Sequence, residues 1–257
     1  MIGKSALRTL VNNGAKIGVR FGGARFKHTL PELAYGYDEL EPVLSKKLMM
    51  LHHDKHHRAY VTNLNNSIEQ MKTLLDSSAA LTGKQEGVSG DKNKLESLRN
   101  EILANDKKLA ELQRIVGFNA GGHINHSLMW DTIKPTKNGG GDEGNEISAS
   151  LSKQISRDFG GIDNLKKLLV GKSMGLMGSG WGWLVFDYNN KSLGVMTTAN
   201  QDTVGAAGNY EALFGIDAWE HAYYVDYNNV KLDFYQNIWK IVNWKKISET
   251  YEKAMSK

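Results

Sequence analysis

The stretch LESLRNEILANDKKLAELQRIV, residues 95–116, carries apolar residues at alternating steps of three and four. These positions are Leu95, Leu98, Ile102, Leu109, Leu112 and Val116, and polar Asn105 occupies the one missing position in the pattern. Such spacing is typical of one face of a helix, and a similar pattern runs from about Glu41 to Met71. Residues 82–94 between them are rich in Gly, Ser, Lys and Asp, which predicts a solvated loop. The two helices are therefore expected to pack as an antiparallel hairpin.

The second half of the chain has a different pattern. A third helical run, His123 to Trp130, ends before Pro135, and the glycine-rich residues 138–144 predict a flexible connection. Helical patterns then cover 146–158 and 163–177, and helices are expected again from about Asp233. Strand-like stretches cover 182–188 and 192–198 around an Asn-Asn-Lys turn, with a third at 211–216.

This organisation predicts an α+β fold. We expect an N-terminal long helical hairpin domain over residues 27–136. A C-terminal α/β domain with a small antiparallel sheet is expected over residues 142–257, and the sequence shows no internal repeat.

The net charge of +4 belongs to the start of the chain. Residues 1–27 contain six basic residues and no acidic ones, while the remaining 26 basic residues face 28 acidic ones. An amphipathic, arginine-bearing, acid-free leader over residues 1–26 resembles a mitochondrial transit peptide. The alternative is a basic tail that binds nucleic acid or is simply solvated. The body shows no basic patch interleaved with aromatic residues, so no nucleic-acid partner is expected. No apolar run is long enough to span a bilayer, so no membrane insertion is expected.

Seven of the eight histidines fall in three clusters, and cysteine is absent. The clusters are His52–His57, His123–His126 and Asp217–His221. Imidazole and carboxylate ligands suit zinc, iron, manganese or nickel, whereas sites that need thiolates are excluded. Within the first cluster, histidines form two pairs four residues apart, and helix geometry alone does not choose between them.

The spacing also argues against two classes of metal enzyme. The sequence contains no His-Glu-x-x-His, the motif of zinc metalloproteases, which argues against that class. It also contains no Glu-x-x-His, which argues against a di-iron site in a helical bundle. Three histidines and one aspartate, with room for solvent, suit a redox-active manganese or iron ion.

Four motifs resemble the signatures of the iron/manganese superoxide dismutase family. They are Leu51-His52-His53-Asp54-Lys55-His56-His57-Arg58-Ala59-Tyr60, Gly121-Gly122-His123-Ile124-Asn125-His126-Ser127, Gly178-Ser179-Gly180-Trp181-Gly182-Trp183 and Asp217-Ala218-Trp219-Glu220-His221-Ala222-Tyr223-Tyr224. The resemblance runs from about Lys27 to the C-terminus. It implies disproportionation of superoxide to dioxygen and hydrogen peroxide by cycling Mn³⁺/Mn²⁺, as an antioxidant enzyme of the mitochondrial matrix with one manganese ion per subunit.

The same resemblance implies the site residues. The metal ligands would be His52, His126, Asp217 and His221. Tyr60, Gln201 and His56 would be catalytic, with Tyr60 and Gln201 in a hydrogen-bonded chain to metal-bound solvent and His56 at the substrate entrance. Trp181 would wall the site nearest the metal, while Trp130 and Trp183 are expected to be core residues.

The metal choice depends on one glutamine. In manganese members of the family it resembles Gln201, whereas in iron members it stands at the position here held by Gly122. The chain therefore resembles the manganese type. An iron-using or cambialistic enzyme remains the alternative, as does a family member that only stores metal or has a structural role.

The family also assembles from subunits. Glu220 would pair with the partner's His221, and Tyr224 with the partner's His56, which implies a homodimer. The segment between Tyr60 and His126 is longer than usual, and this leaves a homotetramer open. Lys55, Arg58 and Lys231 are candidates for a positive funnel for the substrate superoxide, although Lys231 stands where the family usually has arginine.

Overall fold

The computed structural model describes residues 27–257. The predicted leader, residues 1–26, lies outside the described residues. The helices are α1 Lys46–Leu51, α2 Arg58–Glu86, α3 Lys92–Asp131, α4 Glu143–Glu146, α5 Ala149–Phe159, α6 Ile162–Met174, α7 Val204–Ala207, α8 Tyr224–Tyr227, α9 Lys231–Asn237 and α10 Trp244–Met255. The strands are β1 Gly180–Asp187, β2 Ser192–Ala199 and β3 Tyr210–Asp217. A π-helical segment, His52–His57, joins α1 to α2, and short 3₁₀ turns cover Thr136–Asn138, Glu220–Ala222 and Ile238–Ile241.

Helices α2 and α3 form the predicted hairpin. The side chains of Ser45 and Asp91 cap α1 and α3 by accepting hydrogen bonds from backbone N–H groups in the first turn. Along the seam, Leu64 and Met71 of α2 and Leu98 and Leu112 of α3 are buried. The apolar faces identified in the sequence are therefore the ones that hold the two helices together.

The hairpin differs from the prediction in two respects. Helix α2 runs on to Glu86, so the connecting loop covers only residues 87–91 rather than 82–94. The helices predicted around residues 95–116 and 123–130 are one continuous helix of 40 residues. Glycine costs a helix interior roughly 1 kcal/mol against alanine. Packing of α3 against both lobes outweighs this cost at Gly121 and Gly122, which are buried.

The C-terminal lobe is built around a three-stranded antiparallel sheet in the order β2-β1-β3. The three strands lie within two residues of their predicted bounds, and the predicted turn at 189–191 connects β1 to β2. In the central strand, Trp181 pairs with Thr198 on one side and with Asp217 on the other. The sheet register thus places an aromatic side chain next to the carboxylate at the end of β3.

The glycine-rich connection between the lobes is packed rather than free. Gly141 N donates to Val242 O at 2.9 Å, and a Cβ on Gly140 would lie 2.2 Å from Lys134 O. Nearby, Lys134 N donates to Ile241 O at 2.7 Å. The expectation of a flexible linker was wrong, because the missing side chains serve close backbone approach instead of mobility. The domain bounds 27–136 and 142–257 stay predictions.

The lobes share one buried core. Leu48 and Trp130 of the helical lobe belong to the same cluster as Trp183, Phe214 and Trp244 of the α/β lobe. Ser45 ties α1 to α8, since its backbone N and its Oγ donate to Asp226 at 2.7 and 2.6 Å. The lobes are therefore held in a fixed relation at the place where the histidine clusters meet. Within residues 27–257, every helix is too short or too polar to cross a bilayer.

Candidate metal centre

Four side chains from four elements converge between the lobes. His52 begins the π-helical segment, His126 lies in α3, Asp217 ends β3, and His221 lies in the following 3₁₀ turn. One ligand atom from each lies within 4.8 Å of the others, and this is the group that could hold a metal ion within residues 27–257. Asp217 Oδ2 is 3.2, 3.5 and 3.3 Å from Nε2 of His52, His126 and His221.

The donor atoms fit a metal ion. Nε2 of His126 and Nε2 of His221 are buried and have no hydrogen-bond partner among the described residues. His126 Nδ1 donates to Gly122 O at 2.7 Å, which puts the ring proton on Nδ1 and leaves the Nε2 lone pair free. Asp217 Oδ1 accepts from Trp219 N at 2.9 Å, so Oδ2 faces the imidazoles. Three imidazole nitrogens and one carboxylate oxygen suit manganese or iron.

The protonation states are those that metal ligands need. Burial lowers the pKa of His52 to about 4 and lowers the pKa of His126 well below its ordinary value. Burial opposes ionisation of Asp217, but His221 and His52 outweigh it and lower the pKa of the carboxyl. The imidazoles of His52 and His126 are therefore neutral and the Asp217 carboxylate is charged, so none of the three groups must lose a proton before it binds a metal ion.

Two other histidines of the first cluster, His53 and His57, have both ring nitrogens in hydrogen bonds. Tyr37 OH donates to His53 Nδ1 at 2.9 Å, and His53 Nε2 donates to Pro31 O at 2.9 Å. Trp130 Nε1 donates to His57 Nδ1 at 3.0 Å, and burial lowers the pKa of His57 to about 3. These contacts explain why His52 faces the centre while His53 and His57 do not, a choice that the spacing left open.

Gln201 links the centre to Tyr60. Gln201 Nε2 donates to Tyr60 OH at 3.0 Å, and Gln201 Oε1 accepts from Trp181 Nε1 at 3.1 Å. Burial raises the pKa of Tyr60 to about 12, with Asp217 adding to the rise and Gln201 opposing it. The phenol is therefore protonated at neutral pH. Trp181 is fully buried, and its ring meets that of His126 edge-on with centroids 5.1 Å apart.

Two tryptophans that were predicted to be core residues have different surroundings. Trp183 is buried and its Nε1 donates to Thr198 Oγ1 at 2.9 Å, away from the ligands. Trp130 is buried as well, but its ring lies 4.9 Å from that of His52. Trp130 therefore walls the centre in addition to filling the core.

The outer residues lie on one open side. His56 is half-buried and stacks on His221 with ring centroids 4.2 Å apart. Glu220 is exposed, and the Tyr224 side chain is 51% exposed. His56 and Glu220, which adjoin His221 in space and in sequence, are therefore accessible to solvent.

Sequence reasoning gave no role to Asn125 and Gly121. Asn125 Nδ2 donates to Gln201 O at 3.3 Å and to Gln201 Oε1 at 3.4 Å. A Cβ on Gly121 would lie 1.9 Å from Gln201 O. Both residues fall inside a motif that the sequence analysis had singled out, but their partner is 76 residues away from Asn125, so no local pattern identifies the contact.

Comparison with known proteins agrees with the fold. The profile for the alpha-hairpin domain of iron/manganese superoxide dismutases matches residues 27–134, and the profile for their C-terminal domain matches residues 147–250. A protein described as Superoxide dismutase [Mn] 1, mitochondrial, from Arabidopsis thaliana is 40% identical over 226 residues, 88% of this chain and 85% of the relative.

Two relatives from other lineages match over similar lengths. Superoxide dismutase [Mn] 2, mitochondrial, from Caenorhabditis elegans is 43% identical over 230 residues, 90% of this chain and 89% of the relative. Superoxide dismutase [Mn], mitochondrial, from Candida albicans is 41% identical over 229 residues, 89% of this chain and 86% of the relative. The hairpin and α/β lobes are both covered, and the chain belongs to the iron/manganese superoxide dismutase family.

Proposed function

We propose that this protein is a mitochondrial manganese superoxide dismutase that acts in the matrix. The observation that carries the proposal is the buried group of three imidazoles and one carboxylate, with Gln201 and Tyr60 hydrogen-bonded beside it. Relatives that are about 40% identical to this chain are described as mitochondrial manganese superoxide dismutases. The acid-free leader predicted from the sequence is consistent with import into mitochondria.

In the proposed reaction, residues of this chain bind the metal ion and deliver protons. His52, His126, Asp217 and His221 would hold a manganese ion, which would supply the electron acceptor and donor for the two halves of the dismutation. Reduction of superoxide to peroxide also consumes two protons. Tyr60 OH holds a proton at neutral pH, and the Gln201 amide positions that phenol, so together they form the proton-delivering side of the centre. Trp181 and Trp130 exclude bulk water from the ligands.

Manganese is proposed over iron because the glutamine beside Tyr60 is Gln201 and position 122 is glycine. A Cβ on Gly122 would lie 2.6 Å from the ring of Tyr60, so a glutamine on α3 at that position would displace the tyrosine. Gln201 approaches from the α/β lobe instead. Metal-free protein reconstituted separately with manganese and iron tests the choice. We expect activity with manganese. Activity with iron alone would overturn the metal assignment, and inactivity with both metals would overturn the enzymatic function.

Replacing Gln201 with alanine should leave the metal in place and reduce turnover. Gln201 forms hydrogen bonds with Tyr60 and Trp181 and is not one of the four proposed metal ligands. The metal content of the variant should therefore stay near that of the wild type. Losing a residue that supports a metal centre typically costs about 10- to 100-fold in activity. Metal content per chain and turnover number are measured together, with Gln113→Ala on α3 as the control. Unchanged turnover would remove the role proposed for Gln201.

We propose that the chain forms a homodimer through the side of the centre that carries His56 and Glu220, or a homotetramer that also uses the α2–α3 hairpin. Glu220 and Tyr224 are exposed and His56 is half-buried, and a partner that covers Glu220 must pair its carboxylate, a role for the partner's His221. Replacing Glu220 with alanine should therefore raise the dimer dissociation constant, which sedimentation velocity measures over a concentration series. Glu249→Ala, an exposed site on α10, is the control. The same sedimentation data distinguish dimer from tetramer, and a monomeric wild type would contradict the assembly.

We also propose that a local positive field attracts superoxide, although the three candidates differ. Lys55 is exposed, whereas Arg58 Nη2 pairs with Asp54 Oδ1 at 2.7 Å. Lys231 lies over the rings of Tyr223 and Tyr235, and burial lowers its pKa. Turnover at limiting substrate should fall as salt rises, because the Debye length shrinks to about 10 Å at 0.1 M. Lys55→Ala should reduce this salt dependence and Lys253→Ala should not. A rate independent of salt would contradict steering.

A further inference from the structure

A hydrogen-bonded chain of three side chains joins the π-helical segment to α3 beside the metal centre. Trp130 Nε1 donates to His57 Nδ1 at 3.0 Å, and His57 Nε2 lies 2.9 Å from His123 Nδ1. Trp130 and His57 are buried, and His123 is half-buried. The reaction described above gives these hydrogen bonds no role, although their formation fixes the state of two histidine rings.

The chain has a fixed direction. An indole N–H can only donate, so His57 Nδ1 must accept and the single ring proton of neutral His57 must sit on Nε2. His57 Nε2 then donates to His123 Nδ1. A His57 ring with a proton on Nδ1 would turn an N–H toward the Trp130 N–H and break the first bond. The indole N–H of Trp130 therefore fixes the donor and acceptor roles in both hydrogen bonds, and His123 Nδ1 is the final acceptor.

The chain contacts both ligands of the helical lobe. The Trp130 ring meets that of His52 edge-on with centroids 4.9 Å apart, and the His57 ring stacks on that of His126 at 5.3 Å. His52 and His57 open and close the π-helical segment, whereas His123, His126 and Trp130 lie on consecutive turns of α3. The two hydrogen bonds thus tie together the same two elements that present the helical ligands.

We propose that Trp130, His57 and His123 are positioning residues that hold His52 and His126 at metal-binding distance and thereby slow the release of the ion. The proposal rests on the proposed function, since it requires a metal ion in the centre. It assigns to Trp130 a task beyond filling the core, and it explains why the buried imidazole of His57 accepts a hydrogen bond at one ring nitrogen and donates one at the other. Neither nitrogen is then free to compete for the metal.

Four variants separate this role from simple packing. Trp130→Phe keeps a ring and deletes the donor, and His57→Leu deletes both hydrogen bonds. His57→Gln carries one acceptor and one donor on its terminal group and so can restore the direction of the chain. Trp244→Phe is the matched control, because Trp244 is buried but its Nε1 has no partner among residues 27–257. The Trp244→Phe variant therefore loses the same side-chain volume as Trp130→Phe but loses no hydrogen bond.

The measurement is the rate at which manganese passes from each holoenzyme to excess chelator, with the thermal midpoint recorded beside it. Residues that support ligands typically change metal affinity by about 10- to 100-fold, so Trp130→Phe and His57→Leu should release the ion at least ~10-fold faster than wild type. Trp244→Phe should match wild type, and His57→Gln should recover most of the loss. Release from Trp130→Phe at the rate of the Trp244→Phe control would overturn the proposal, as would equal release from His57→Gln and His57→Leu. A wild type that binds no metal would instead refute the proposed function itself.

Discussion

Asp217→Asn is expected to lose metal binding and dismutation together. The carboxylate supplies the sole negative charge among the four converging side chains, and its Oδ2 lies 3.2–3.5 Å from three imidazole nitrogens. An amide has the same shape but carries no charge, and its NH₂ end would point N–H donors at nitrogens that must keep their lone pairs. Loss of a residue that merely supports a ligand costs about 10- to 100-fold in affinity, so loss of this ligand should exceed ~100-fold.

Metal content per chain and dismutation rate of the purified variant check this expectation. Asp233→Asn on α9 is the control, because it makes the same chemical change at an exposed carboxylate and should keep both metal and activity. The folded state of Asp217→Asn is verified by the far-UV circular dichroism of the helices, so that loss of metal is not confused with unfolding. An Asp217→Asn protein with one tightly bound ion per chain would refute the assignment of this ligand.

The sequence predicted the fold class because both of its periodicities are strong. Apolar steps of three and four marked α2 and α3, and the strand patterns marked β1, β2 and β3 to within two residues. One error came from glycine. Gly140 and Gly141 suggested a flexible linker, yet a Cβ on either would lie less than 3 Å from backbone atoms packed against it. Such contacts are made by residues far away in the chain, so a local propensity scale misreads them.

The candidate centre was predictable as three clusters but not as a particular set of ligands. Spacing treated His52 and His53 alike, because both lie in the same run of histidines. What separates them is the hydrogen bonding of their ring nitrogens. His53 is held by Tyr37 and Pro31, whereas Nε2 of His52 faces Asp217. These partners come from the residues before α1 and from the end of β3, and a tautomer fixed by such distant contacts leaves no trace in local sequence.

Gly121→Ala is expected to impair both stability and turnover, although it adds a single methyl group. The new Cβ would lie 1.9 Å from Gln201 O and 3.0 Å from the carbonyl carbon, and both atoms belong to backbone. The loop that carries Gln201 would have to move away from α3 by about 1 Å or more, because real Cβ contacts lie beyond 3 Å. Overpacking of this kind typically costs about 1–3 kcal/mol in the free energy of unfolding.

The consequence for turnover follows from what the loop carries. Gln201 orients Tyr60 from one side and is held by Trp181 from the other, so a displaced loop cannot keep both hydrogen bonds at 3.0 and 3.1 Å. A displacement of about 1 Å in catalytic geometry costs roughly 100-fold in rate. Gly117→Ala on the same helix is the matched control, since its Cβ would meet nothing within 4 Å. That control should raise the free energy of unfolding by roughly 1 kcal/mol through helix propensity. If α3 and the Gln201 loop are in the contact described, denaturant titrations show a lower free energy of unfolding for Gly121→Ala and a higher one for Gly117→Ala, and turnover falls only in Gly121→Ala. A change in the free energy of unfolding of the same sign in both variants would contradict that contact.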